Sequence, residues 1–416
     1  ILKLKELTNK IFKDTFIVMA ANLVNYGGMF VLAVMITRLL GVDALGEFTL
    51  IFSFVLILTA VTDLGVSQML VRKLNSERGK AWSIIRSVNR FRLIFSFVCV
   101  AVVLAVMYFV PGAHLTAAFA AGIAIVIPKT LQSAYDSSIR AMQQQRLPAI
   151  IKSAVTLLQI VFVYIILLGS PGLLYVMLVL LITELLAMGA FYLTAEDLWK
   201  RETDIEDPGL IPVKPFIKEA LPFFGNTIFA LSIPRLIMIF LGYIASAASL
   251  GIYSAASRFT GGIGLISGAL YNTYYPVMTG SKVSPAERFR LTARLAAYAL
   301  FLGIIIAAVL FFLSDILIGL SFKVPEAASV LKILSVTVIP VLVYSVLQPY
   351  LISLHRESFI FKSYIAIFVL ILPAAIILIH LYGFYGAAYV SASAEILLCI
   401  VLIIGFLRTG RKIHQG

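Results

Sequence analysis

The sequence predicts an all-α integral membrane protein of about twelve transmembrane helices in two lobes of about six helices each, with both termini cytoplasmic. Three observations lead there. Hydrophobic residues make up 61% of the 416 residues and charged ones only 13%, at a mean hydropathy of +1.03, whereas an ordinary globular chain is about 25% charged. The apolar residues come in runs of roughly 20 to 27, long enough for a ~30 Å hydrocarbon core at ~1.5 Å per helical residue. The basic residues behind the net charge of +13 gather in alternate short loops. That pattern reflects membrane topology and excludes nucleic acid as a partner.

In chain order, residues 1–13 (ILKLKELTNKIFK) place Leu4, Leu7 and Ile11 on one helical face and lysines elsewhere, as an interfacial amphipathic helix does. Spanning helices are expected near 14–37, 44–70, 92–110, 114–138, 149–168, 172–194, 216–241, 247–275, 292–313, 327–353, 360–380 and 386–406. The N-terminal lobe is therefore 14–195 and the C-terminal lobe 216–407, with the charged, proline-containing segment 196–215 as a cytoplasmic linker and 408–416 as a basic cytoplasmic tail. Insertion is expected to use the first spanning helix, since no signal with an A-x-A end is read.

Orientation follows from the loops. One set carries Arg72, Lys73, Arg78, Lys80, Arg86 and Arg90, then Arg140, Arg146 and Lys152, and later Arg288, Arg290, Arg294, Arg356, Lys362 and Arg408. The alternate set offers little beyond Arg38 and Lys323, and the turn from Ser314 to Glu326 is its longest member. Positive residues stay inside.

A repeat is visible. Leu45-Gly46-Glu47-Phe48 opens the second helix and Leu250-Gly251-Ile252-Tyr253 the eighth; Lys152-Ser153 precedes the fifth and Lys362-Ser363 the eleventh; Gly172 to Val176 opens the sixth and Gly386 to Val390 the twelfth. Three matches in one order at a nearly constant offset point to a duplicated unit. Halves with an even helix count insert in the same orientation, so a cargo site is expected where they meet.

Rare charges inside apolar helices are the functional signal, because each costs about 2.5–3.5 kcal/mol at the bilayer centre. In the fourth helix Lys129, Gln132, Asp136 and Arg140 share one face, just after a kink expected at Pro128. Arg258 lies near mid-helix in the glycine-rich eighth helix, and Arg235 follows Pro234 in the seventh. Their positive excess suggests an anionic cargo. The competing reading is structural: Asp136 with Arg140 as an i,i+4 pair, Lys129 and Arg235 snorkelling, and Arg258 bonded to neighbouring carbonyls. Asn22, Asn25, Asn226 and Asn272 are candidate cavity-lining residues. Asp63, Glu184 and Glu395 are candidates for ion coupling to H+ or Na+, since burial raises a carboxyl pKa; hydrogen bonding or pairing is the alternative for each.

No cofactor or metal is expected. The chain has no P-loop, no HExxH and no His/Cys cluster, and its only cysteines, Cys99 and Cys399, lie within apolar segments. Transport would draw on an ion gradient, the cargo's own gradient, or its removal on the far side.

The stretch from Thr37-Arg38-Leu39-Leu40-Gly41 through Gly46-Glu47-Phe48, followed by Asp63-Leu64-Gly65 and Val71-Arg72-Lys73, resembles the first hairpin of Wzx-type polysaccharide and O-antigen repeat-unit flippases. These belong to the multidrug/oligosaccharidyl-lipid/polysaccharide (MOP) exporter superfamily. The resemblance implies a two-lobed, MATE-like transporter of the inner (cytoplasmic) membrane. It further implies a lipid-linked oligosaccharide cargo on undecaprenyl diphosphate, flipped to the periplasmic leaflet by alternating access. Arg258, Arg235 and Lys129 would then grip the diphosphate, and a polysaccharide polymerase and chain-length regulator would be partners, with membrane lipid around the tail. Lipid II flippases of the superfamily carry two further C-terminal helices beyond the twelve expected here, so lipid II is not the expected cargo. Two alternatives stay open: an ion-coupled multidrug antiporter, for which Asn22 and Asn25 stand where an acid would be wanted, and a membrane polysaccharide polymerase or ligase, which would need a catalytic external loop.

Overall fold

The computed structural model describes residues 2–109, 116–169, 171–201, 209–279 and 284–415. The described residues are helical, with no strand among them. In order they form α1 Leu2–Leu40, α2 Val42–Asp63, α3 Val66–Ser76, a short 3-10 turn at Arg78–Lys80, α4 Ala81–Phe109, α5 Ala117–Ala124, α6 Val126–Ala141, α7 Arg146–Gly169 and α8 Leu173–Lys200. There follow α9 Lys214–Ile244, α10 Ala247–Gly261, α11 Ile263–Thr279, α12 Pro285–Phe312, α13 Ser314–Ser321, α14 Glu326–Ser335, α15 Val338–Ser353 and α16 Glu357–Gln415.

Among the described residues, nine helical segments are long and apolar enough to cross a membrane. The last, Glu357–Gly410, has 54 residues, more than twice the ~20 that one crossing needs. Gly383 divides it, at φ 56° and ψ −129°, a backbone state open to glycine because it has no Cβ. The spans expected at 216–241 and 247–275 fall on α9 and on the α10–α11 pair. The turn expected from Ser314 to Glu326 contains a helix, α13. Side chains of the expected amphipathic segment 1–13, of Asn226 and of the basic tail beyond Gly410 lie outside the described residues, as does much of the linker, 202–208.

The helices break where local chemistry demands it. Pro128 has no N–H for the carbonyl of Ala124, and the fourth span divides between α5 and α6. The second span, expected to be continuous, divides at Leu64 and Gly65, both left-handed at φ 50° and 73°. For leucine that conformation costs on the order of 1 kcal/mol or more. It recurs directly beside Asp63.

The Cα framework divides into two compact units: unit 1, Ile1–Met35 with Ile51–Leu231, and unit 2, Ile36–Leu50 with Ser232–Gly416. The boundaries fall inside α1, α2 and α9. In unit 1, Val66, Leu70, Leu74, Ile84, Ile85 and Val88 form a buried core with Trp199 and Phe216, so the segments on both sides of the linker pack against α3 and α4. The backbone N–H of Ile211 is anchored by Ser87 Oγ at 2.8 Å.

In unit 2, the α1–α2 corner packs on α10 with local two-fold character. A Cβ on Gly46 would collide with the carbonyl of Ala247, and one on Gly251 with the carbonyl of Val42. One turn on, the hydroxyls of Thr49 and Ser254 meet at 2.7 Å across a separation of 205 residues, the separation that also relates Gly46 to Gly251 and Val42 to Ala247. The first of the three sequence matches thus lies at a reciprocal close crossing of α2 and α10.

Candidate functional site

The polar groups inside unit 1 meet on α6. The face read as Lys129, Gln132, Asp136, Arg140 turns toward α7 and α8. Lys129 Nζ lies 2.6 Å from Glu184 Oε1, Gln132 donates to the other carboxylate oxygen at 2.9 Å and to the Glu184 carbonyl at 2.8 Å, and Gln159 donates at 3.4 Å. Two turns further, Asp136 accepts from Lys152 at 2.7 Å and from Arg140 at 3.0 Å. The buried Gln132 amide and the half-buried Lys129 cation leave the buried Glu184 carboxylate well satisfied, which is the condition for keeping a charge out of water.

A second ion pair lies at the neighbouring edge of α6. Arg92, with no solvent exposure, places Nη2 2.5 Å from Asp63 Oδ1 and 3.2 Å from Ser67 Oγ, while Nη1 donates to Ser133 at 2.9 Å. Thr62 and Thr130 close the cluster at 2.7 Å. The left-handed break after Asp63 turns the chain so that Ser67 N–H and Oγ both donate back to its carboxylate. Arg92 was not singled out from sequence, because the third span was placed to begin at it. Asn89, Arg92 and Ser96, all buried, repeat at i, i+3 and i+7 and would have marked one polar face.

In unit 2 the charges are balanced differently. Arg235 is half-buried on α9, with Nη1 3.5 Å from Met238 Sδ, and among the described residues no carboxylate lies within ion-pair distance of it. Arg258 is half-buried on α10, one turn beyond Ser254. The Tyr253 hydroxyl of α10 meets Ser391 Oγ of α16 at 2.7 Å. Glu395 accepts from Tyr344 at 2.9 Å; among the described residues no cation lies within ion-pair distance of it. Hydroxyls of Tyr253 and Tyr344 thus tie α10 and α15 each to α16.

The remaining sequence candidates are dispersed. Asn22 is exposed on α1, Asn25 accepts from Thr156 of α7 at 2.9 Å, and Asn272 is exposed on α11. Arg38 caps the C-terminus of α13 through the carbonyls of Ser321, at 2.7 Å, and Leu320, which suits a cation at the negative end of a helix dipole. Among the described residues, no group of three or more His, Cys, Asp or Glu could hold a metal ion.

Residues 11–282 match the family model described as "Polysaccharide biosynthesis protein". No curated protein matches by sequence. Among solved structures, the chain is similar to the lipid II flippase MurJ in an inward closed conformation, with a TM-score of 0.75 and 14% identity over 96% of this chain and 90% of that one. It is also similar to an inward-facing multidrug resistance MATE family transporter of the MOP superfamily, with a TM-score of 0.69 and 18% identity over 96% and 95% of the two chains. The MATE transporter VcmN of Vibrio cholerae in its bent form gives 0.56 and 15% over 98% of each. With its multi-pass helices and a family match over well over half its length, this chain belongs to the polysaccharide biosynthesis protein family and carries the MOP-superfamily fold that flippases and MATE transporters share.

Proposed function

We propose that this chain is a Wzx-type flippase that moves undecaprenyl-diphosphate-linked oligosaccharide repeat units across the inner membrane, from the cytoplasmic to the outer leaflet, by alternating access. One observation carries the reading: Lys129 and Arg92 in unit 1 are each matched by a carboxylate at 2.6 and 2.5 Å, whereas Arg235 in unit 2 has no such partner among the described residues. A guanidinium held at membrane depth without a counter-ion invites an anion, and a diphosphate accepts such donors bidentately. In this scheme Arg235 and Arg258, both on unit 2, hold the diphosphate. The chain uses no cofactor, performs no covalent chemistry, and hands its product to a polysaccharide polymerase with its chain-length regulator.

The test is complementation of a flippase-deficient strain. Arg235→Ala and Arg258→Ala each weaken cargo binding by about 10- to 100-fold, the worth of one hydrogen-bonded charge, and the double variant makes no surface polysaccharide at normal expression. Full production by the double variant would sink the proposal.

A multidrug-antiporter reading has one observation in its favour, the half-buried Glu395 carboxylate with no cation within ion-pair distance among the described residues, which suits H+ or Na+ coupling in either kind of transporter. Glu395→Gln keeps an acceptor for Tyr344 but cannot titrate. Its expected phenotype is a folded protein whose transport no longer responds to an imposed proton gradient, measured in proteoliposomes. If drug efflux responds and glycan export is untouched, the antiporter reading takes over.

A further inference from the structure

In unit 2, α12, α15 and α16 form a groove of about 460 Å³. Its fifteen lining residues include no charged side chain and no hydroxyl or amide. On α16 it runs from Ile396 to Leu407, about 16 Å of helix at ~1.5 Å per residue. That is the depth of one leaflet of a ~30 Å hydrocarbon core. Water entering it would find no hydrogen-bond partners, and an empty groove would forfeit the dispersion contacts of every wall. The occupant is hydrocarbon.

Charge indicates which lipid. Ala293 and Ala297 line the groove on α12, and Arg290 and Arg294 continue their face toward the helix N-terminus at i, i+3, i+4 and i+7 spacing. Both arginines are exposed. The nearest acid on α12, Glu287, is turned back on the N-cap, accepting from the backbone N–H and hydroxyl of Ser284 at 2.9 and 2.7 Å. At the same end of the groove, Phe289 stacks on the lining residue Phe406 with ring centroids 4.5 Å apart. An acyl chain in the groove therefore brings its headgroup out beside two guanidinium groups.

We infer that this groove is a resident binding site for an anionic glycerophospholipid, one acyl chain lying between α12, α15 and α16 and the phosphate resting on Arg290 and Arg294. The site does not depend on which cargo the transporter carries. Occupied, it props α12 against α15 and α16, the helices that hold Tyr344 and Glu395.

Native mass spectrometry of the purified full-length chain tests it, with dioleoylphosphatidylglycerol and dioleoylphosphatidylcholine offered together. The wild type retains phosphatidylglycerol in preference. Arg290→Ala with Arg294→Ala lowers that preference by about thirtyfold, at roughly fivefold for each arginine near an anionic headgroup. Ala297→Trp fills the groove and excludes both lipids; if it fails to fold, Ala297→Leu, checked by its elution profile, reads the same loss in part. Equal retention of the two lipids by the wild type, or undiminished retention by a folded groove-filling variant, overturns the site. Displacement of phosphatidylglycerol by equimolar undecaprenyl phosphate overturns the assignment of the occupant.

Discussion

Asp63→Ala is expected to lower the stability of the purified protein by about 3–5 kcal/mol, the cost of leaving a buried charge without its partner. Arg92 is fully buried and cannot shed its proton, so loss of the carboxylate 2.5 Å away strands it. Arg92→Leu should cost less. The Asp63 side chain is 21% exposed and keeps its bonds from Ser67. The double variant should recover much of the loss, since removing both members of a buried pair is often close to neutral. Thermal unfolding in one detergent across the three variants supplies the cycle; a double variant as unstable as the sum of the singles would show that the pair is not the coupled unit proposed.

Gly46→Leu and Gly251→Leu are expected to abolish transport, and each to leave little folded protein. A side chain at either position points into the backbone of the opposing helix, at the carbonyl of Ala247 or of Val42, where no rotamer change can make room. Even Gly→Ala must push α2 and α10 apart, at about 1–3 kcal/mol for overpacking. Because the contact is reciprocal, with Thr49 and Ser254 bonded at 2.7 Å in the same arrangement, Gly46→Ala and Gly251→Ala should have nearly equal effects. Unfolding midpoints and complementation measured side by side check this. A large inequality, or full activity of Gly46→Leu, would mean that the crossing is not close-packed in the working protein.

Most of the helical framework was legible in the sequence because hydrocarbon leaves a chain little choice. Backbone groups in lipid must bond internally, so each long apolar run becomes a helix. Basic loops and prolines then mark its ends. The break at Pro128 was legible for the same local reason, a missing N–H. The break at Leu64 was not, since leucine carries no signal for a left-handed backbone, and only the Asp63–Arg92–Ser67 cluster explains why the chain turns there.

The candidate site was legible in kind more than in arrangement. Lys129, Asp63, Glu184 and Glu395 stood out because any ionisable group in an apolar run is costly, yet their individual roles depend on partners far away in sequence. Glu184 lies 55 residues from Lys129, and Arg92 lies 29 from Asp63. These pairings turn Lys129, taken alone as an anion-binding cation, into half of a balanced pair, and move the weight of the cargo proposal onto Arg235 and Arg258. They also separate Glu395 from the other two acids, as the one whose described neighbour is a tyrosine instead of a cation.

By itself, the sequence determined that this chain is an all-α, multi-pass membrane protein with a repeated Leu-Gly motif and a few expensive charges, because hydropathy and helix period are properties of neighbouring residues. Tertiary structure alone decided which charges cancel, where glycines bring two backbones into contact, and where apolar walls leave room for a lipid chain. Those outcomes depend on distances between helices, which residues remote in sequence set together.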